Sequence, residues 1–249
     1  VTDIAIPNGD KSLDYIIQIS LLNNEKSNKQ AYIRAAWEET IKQSTIEKRN
    51  ELAKRYEELA EDYKKAGEKK EANICILNSK QAYINAAWEE TIKQPTIEKW
   101  NEVAKRYEEL AKDYKKAGDE KEANICILKS KRAYNSAAWE EAKKQPTIEK
   151  WNEVAKRYEE LAKDYKKAGD EKEANICILK SKRAYNSAAW EEAKKQPTIE
   201  KWNEVAKRYE ELAENYKKAG VEKGANICIL NSKQAYNNAD WKETEKQPT

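Results

Sequence analysis

The most reactive side chains in this sequence stand at a fixed interval: Cys75, Cys126, Cys177 and Cys228. Four thiols could close two disulfides or hold a zinc ion. Each, however, sits in an apolar Ile-Cys-Ile-Leu run, one per repeating unit. Equivalent positions on stacked helix pairs lie two helix spacings apart, roughly 16–20 Å, whereas a disulfide needs Cα atoms within about 7 Å. The expected role is therefore a small buried hydrophobe. Free buried thiols point to a reducing, cytoplasmic compartment, with a secreted or surface-exposed array as the alternative. The chain has no His, which removes the commonest general base and metal ligand. Asp and Glu number 45, but none falls in a catalytic, phosphate-cradling or metal-ligating pattern. The expectation is a non-enzyme with no cofactor and no metal.

Against those 45 acids stand 48 Lys and Arg, a net charge of +3. Near-balance argues against nucleic acid as the partner, and apolar runs of only a few residues argue against membrane insertion. Without an initiator Met or a visible signal peptide, the chain reads as a fragment or processed product. Apolar residues make up 39% and charged residues 37% of the 249, so any core is thin and spread along the chain.

The elements that position these residues follow from a repeat. The segment 95–145 recurs unchanged as 146–196, a period of 51 residues. The expected organisation is an N-terminal segment and half-repeat helix over 1–43, then repeats over 44–94, 95–145, 146–196 and 197–249, the last including the Gln-Pro-Thr start of a further unit. A period of this size signals stacked supersecondary units in one continuous solenoid. Within each unit, Pro95 stops the preceding helix and Thr96 is a good N-cap. Ile97, Trp100, Val103, Ala104, Tyr107, Leu110, Ala111 and Tyr114 then recur in steps of three and four, a single helical stripe. Gly118 closes this first helix. A second helix from about Asp119 to Lys144 carries Ala123, Cys126, Ile127, Ser130, Tyr134 and Ala137 on one face and Ile125, Leu128 and Trp139 on another. Two apolar faces suit a helix packed between neighbours; one stripe suits a helix with an open side. At about 22 and 26 residues the helices reach roughly 33 and 39 Å. With a long N-terminal helix over about 12–42, preceded by an Ile-Pro-Asn-Gly turn signal, the chain should be all-α with about nine helices.

Part of each unit resembles the tetratricopeptide repeat. Tyr107, Leu110, Ala111 and Tyr114 fall at its first-helix positions, Gly118 at its turn, and Ala123, Ile127 and Ser130 at its second-helix positions; the same types recur from Tyr56, Leu59 and Ala60 onward. About 24 of each 51 residues are covered, and the unit is 17 residues longer than the family's. The resemblance implies an α-solenoid of antiparallel hairpins in a right-handed superhelix, and a protein-binding role. The family's acceptor for peptide C-termini uses Lys, Arg and Asn in its groove. The groove positions here are Lys105, Glu108, Lys112 and Lys115, so that activity is not implied.

The candidate partner-binding residues are Asn101, Lys105, Glu108, Lys112 and Lys115 on one first helix, and Asn152, Lys156, Glu159, Lys163 and Lys166 on the next. Asn50, Asn101, Asn152 and Asn203 form a ladder that could hold an extended peptide backbone, or simply a row of solvated side chains. The Trp and Tyr rows (Trp88, Trp139, Trp190; Trp100, Trp151, Trp202) suit core packing or ligand stacking; Arg49 at the Trp100 position marks that site as partly exposed. Lys112 and Lys163 replace Glu61 and Glu214 of the outer units, and Arg132 and Arg183 replace Gln81 and Gln234. Basic charge therefore concentrates in the middle, and an acidic protein or peptide segment is the expected partner. The runner-up is a structural or surface-exposed array whose repeat number sets its length or antigenicity, and a third reading is self-assembly into a filament.

Overall fold

The computed structural model describes residues 45–245 and eight residues within 27–38. All regular structure there is α-helical, with no strand among the described residues. Eight helices are delimited: α1 Ile46–Lys65, α2 Lys69–Lys93, α3 Ile97–Lys116, α4 Glu120–Lys144, α5 Ile148–Lys167, α6 Glu171–Lys195, α7 Ile199–Lys218 and α8 Glu222–Thr244. The expected count of nine is thus corrected to eight. The ninth would be the N-terminal helix, of which only scattered helical residues within 27–38 are described. The Ile-Pro-Asn-Gly turn and the trailing Gln247-Pro248-Thr249 lie outside the described residues.

First helices of 20 residues alternate with longer second helices, and local chemistry fixes their ends. Thr147 Oγ1 accepts the Lys150 amide at 3.1 Å, and Thr45, Thr96 and Thr198 repeat that cap. Each first helix stops the same way. The Gly169 amide donates to Lys166 O, and the Asp170 amide reaches back to Tyr165 O at 2.9 Å. Gly169 has φ +80°, a left-handed conformation that strains any residue with a Cβ. Gly67, Gly118 and Gly220 sit in the same conformation. Asp170 then caps the second helix by accepting the Glu173 amide at 3.0 Å.

The one-stripe expectation for first helices holds. Trp151, Val154, Ala155, Tyr158, Leu161, Ala162 and Tyr165 are the buried residues of α5. Second helices bury small residues around a wider arc: Ala174, Cys177, Ser181, Ala184 and Ala188 in α6, with Leu179 and Asn186 between them. Small side chains let neighbours approach from two sides, whereas the large side chains come from the first helices.

By contacts the chain divides into two compact units, 1–94 with 106–126, and 95–105 with 127–249. In the first, α1 pairs with α2 around Ile33, Leu52, Leu59, Tyr63 and Cys75. In the second, α5 pairs with α6, α7 with α8, and α6 with α7. Aromatic edges lock successive hairpins: Trp139 meets Trp151 at 5.1 Å and Trp190 meets Trp202 at 5.1 Å, both edge to face. Asn135 Nδ2 and Asn186 Nδ2 donate to the carbonyls of Arg157 and Arg208 at 3.0 Å, a contact between repeats that the sequence alone did not reveal.

Candidate partner-binding surface

The ten candidate residues lie on α3 and α5, and each set follows its helix in steps of three and four. Lys105, Glu108, Lys112 and Lys115 are exposed on α3, as are Lys156, Glu159, Lys163 and Lys166 on α5; Asn101 and Asn152 are half-buried. Glu159 accepts a long bond from the Tyr185 hydroxyl (3.4 Å), so it also serves its own hairpin. Asn101 opens onto a small cleft of about 180 Å³ beside Tyr134, Glu153 and Arg157.

Pairing separates the inner first helices from the outer ones. In α1, Lys64 Nζ is 2.6 Å from Glu61; in α7, Lys217 Nζ is 2.7 Å from Glu214. Lys112 and Lys163 stand at those two Glu positions in α3 and α5. The replacement removes an acid and adds a base on the same helical turn. Lys115 and Lys166, which the Glu would have held, have no ion-pair partner among the described residues, nor do Lys105, Lys112, Lys156 or Lys163. Some charges nearby pair internally: Asp164 holds Lys131 at 2.6 Å, and Glu153 holds Arg157. Lys105, Lys112 and Lys115 on α3, and Lys156, Lys163 and Lys166 on α5, thus form two exposed stripes of ammonium groups with no internal ion pair among the described residues.

The aromatic rows resolve toward the core. Trp100, Trp151 and Trp202 are buried. Arg49 is half-buried and pairs with Glu89 at 2.7 Å, in keeping with partial exposure at its position. All four cysteines are free and buried, as expected. Burial pushes the thiols of Cys75, Cys177 and Cys228 up to about 11, so at neutral pH they are poor nucleophiles and poor metal ligands.

A second feature went unnoticed in the sequence. An open cavity of about 1220 Å³ lies in the first unit, lined by α1, α2 and the junction of α3 and α4. Leu52, Leu59 and Leu77 form its floor, and Tyr56, Gln81 and Glu122 are among its polar walls. The signal was present as the Gln81/Arg132 difference, but its meaning required knowing which residue 41 positions on faces it.

No protein-family model matches this chain, and no curated protein matches it.

Proposed function

We propose that the protein is a non-catalytic scaffold, a tetratricopeptide-like α-solenoid that docks an acidic protein or peptide segment on its inner first helices. One observation carries this reading: Lys112 and Lys115 of α3, repeated as Lys163 and Lys166 of α5, have no ion-pair partner among the described residues where the outer units place Glu-Lys pairs, and exposed Lys105 and Lys156 extend the two stripes. Long exposed lysines attract carboxylates at distances up to the Debye length, about 8 Å at physiological salt. They steer encounter and select sign more than they supply affinity. Half-buried Asn101 and Asn152 flank each stripe with amide groups able to bond a peptide backbone. The deciding experiment is capture of partners by the native chain and by a variant with Lys105, Lys112, Lys156 and Lys163 changed to Glu. A partner lost on reversal supports the scaffold, and a partner set that does not change refutes it.

The structural-array reading has its own observation. Leu179 is 7% exposed because α7 covers it, but Leu230, its equivalent 51 residues on, is 65% exposed, and Trp241 is 66% exposed where Trp190 packs on Trp202. Exposed large apolar side chains on α8 favour self-association. Growth of light scattering with concentration, abolished by Leu230→Glu, would select this reading.

A further inference from the structure

The internal copies show how this fold seats a cation, and the first unit keeps the seat while lacking the cation. In the second unit, Arg132 Nη1 lies 2.7 Å from Glu173 Oε2, and Lys180 Nζ sits 5.2 Å from the centroid of the Tyr158 ring. One period earlier, or two for the ring, the same positions hold Gln81 with Glu122, and Asn78 with Tyr56. Both acceptors, the carboxylate and the ring, are retained; both cationic side chains are gone.

All four of these residues line the 1220 Å³ cavity. Gln81 does not stand in for the arginine. Its Nε2 donates to Asn85 Oδ1 at 2.9 Å, its Oε1 lies 3.7 Å from Cys126 Sγ, and Asn85 Oδ1 also accepts from the Tyr107 hydroxyl at 2.9 Å. That network engages both ends of the amide. The half-buried Glu122 carboxylate has no ion-pair partner among the described residues. Among the described residues, the other charges on the lining are Asp119, Lys70 on the exposed rim, and Arg49, which Glu89 neutralises. Beside the carboxylate are the apolar floor and Ile74, which is 50% exposed at the cavity's edge.

A carboxylate, an aromatic face and an aliphatic floor match one side chain well. A guanidinium pairs with carboxylate in two parallel bonds and stacks on an aromatic ring, and its three-methylene stem covers apolar surface. We propose that this cavity is a binding site for an arginine side chain of a peptide segment, with Glu122 and Tyr56 in the roles that Glu173 and Tyr158 play for the chain's own cations. The site is separate from the lysine stripes, goes beyond the scaffold reading, and does not depend on it.

The test is a titration of the full chain with acetyl-leucyl-arginine amide, followed by backbone amide shifts in NMR, beside the same titration with the citrulline analogue. Citrulline keeps the shape of arginine and removes its charge. Saturable shifts at Tyr56, Asn78 and Glu122 are expected with the arginine probe, with binding at least about tenfold weaker for citrulline, the cost of one charge-assisted pair. Glu122→Gln should abolish the preference. Gln81→Arg should do so as well, because it rebuilds the Arg132–Glu173 contact and fills the seat from within. Equal response to the two probes, an unchanged preference in both variants, or no saturable shift up to the probes' solubility would overturn the proposal. The comparison of probes on the unaltered chain does not depend on how either variant folds.

Discussion

Arg132 and Glu173 are 41 residues apart in sequence and 2.7 Å apart in space, a charge pair between the second helices of successive repeats. Both are only about a quarter exposed. Arg132→Gln, which installs the residue found at position 81, leaves the carboxylate half-buried and unpaired. It should lower stability by about 1 kcal/mol. Chemical denaturation of the two chains measures this, and an unchanged midpoint would show that solvent screens the pair completely.

The turn glycines make a sharper prediction. Gly169 has φ +80°, with open space where a Cβ would project. Gly169→Ala should therefore cost about 1 kcal/mol through backbone strain alone. Thr147→Ala at the other end of the same helix removes the bond to the Lys150 amide and should cost a similar amount, about 1 kcal/mol. The sites are remote, so the double variant should show the sum. A marked departure from additivity would mean the ends of α5 are coupled through its partners.

These hairpin limits were legible in the sequence because they rest on local chemistry. Pro-Thr starts, Gly stops and the three-four spacing of Trp151, Val154, Tyr158 and Leu161 act within one helix. The division between one-stripe and two-faced helices followed from the same pattern. What was not legible depends on pairs distant in sequence. Asn135 looks like any polar residue until its amide is seen to reach the Arg157 carbonyl. Gln81 looked like a loss of basic charge, and only the placement of Glu122 beside it reveals a vacated cation seat. The lysine stripes fall between these cases. Their positions were readable, but that Lys64 and Lys217 are paired, while Lys115 has no ion-pair partner among the described residues, required side-chain geometry.

Stability should respond to alkaline pH with two opposing signs. Burial raises the Cys75, Cys177 and Cys228 thiols from 9.0 to about 11, and the Tyr158 and Tyr165 hydroxyls from 10.0 to about 12. The folded state holds those protons longer than the unfolded one, so their contribution is full below pH 9 and is lost as pH rises toward 11 and 12. Lys180 runs the other way. Burial, aided by the charge of Arg132, lowers it from 10.5 to about 8, so its penalty is full below pH 8 and is relieved between pH 8 and 10.5. Thermal midpoints should fall above pH 9. Lys180→Asn, the residue at positions 78 and 231, should be more stable than the native chain at pH 7, with the gap closing by pH 10.5. A gap that stays constant with pH would show that Lys180 is not desolvated.

Buried thiols should also be slow. In the native state Cys126 and its equivalents should react with a soluble disulfide reagent only as fast as the repeats open, and all four should react at once in denaturant. Four rapid equivalents under native conditions would contradict their burial.

The central claim is that the inner first helices bind an acidic segment through lysines the fold leaves uncommitted. The most direct measurement is the affinity of a captured partner segment for the native chain and for the Lys105→Glu, Lys112→Glu, Lys156→Glu, Lys163→Glu variant, at low and high salt. The account predicts a loss of at least about tenfold on reversal and a steep weakening with salt in the native chain alone. Equal affinity for the two chains, or displacement of the partner by a nucleic-acid oligonucleotide at the same concentration, would contradict it.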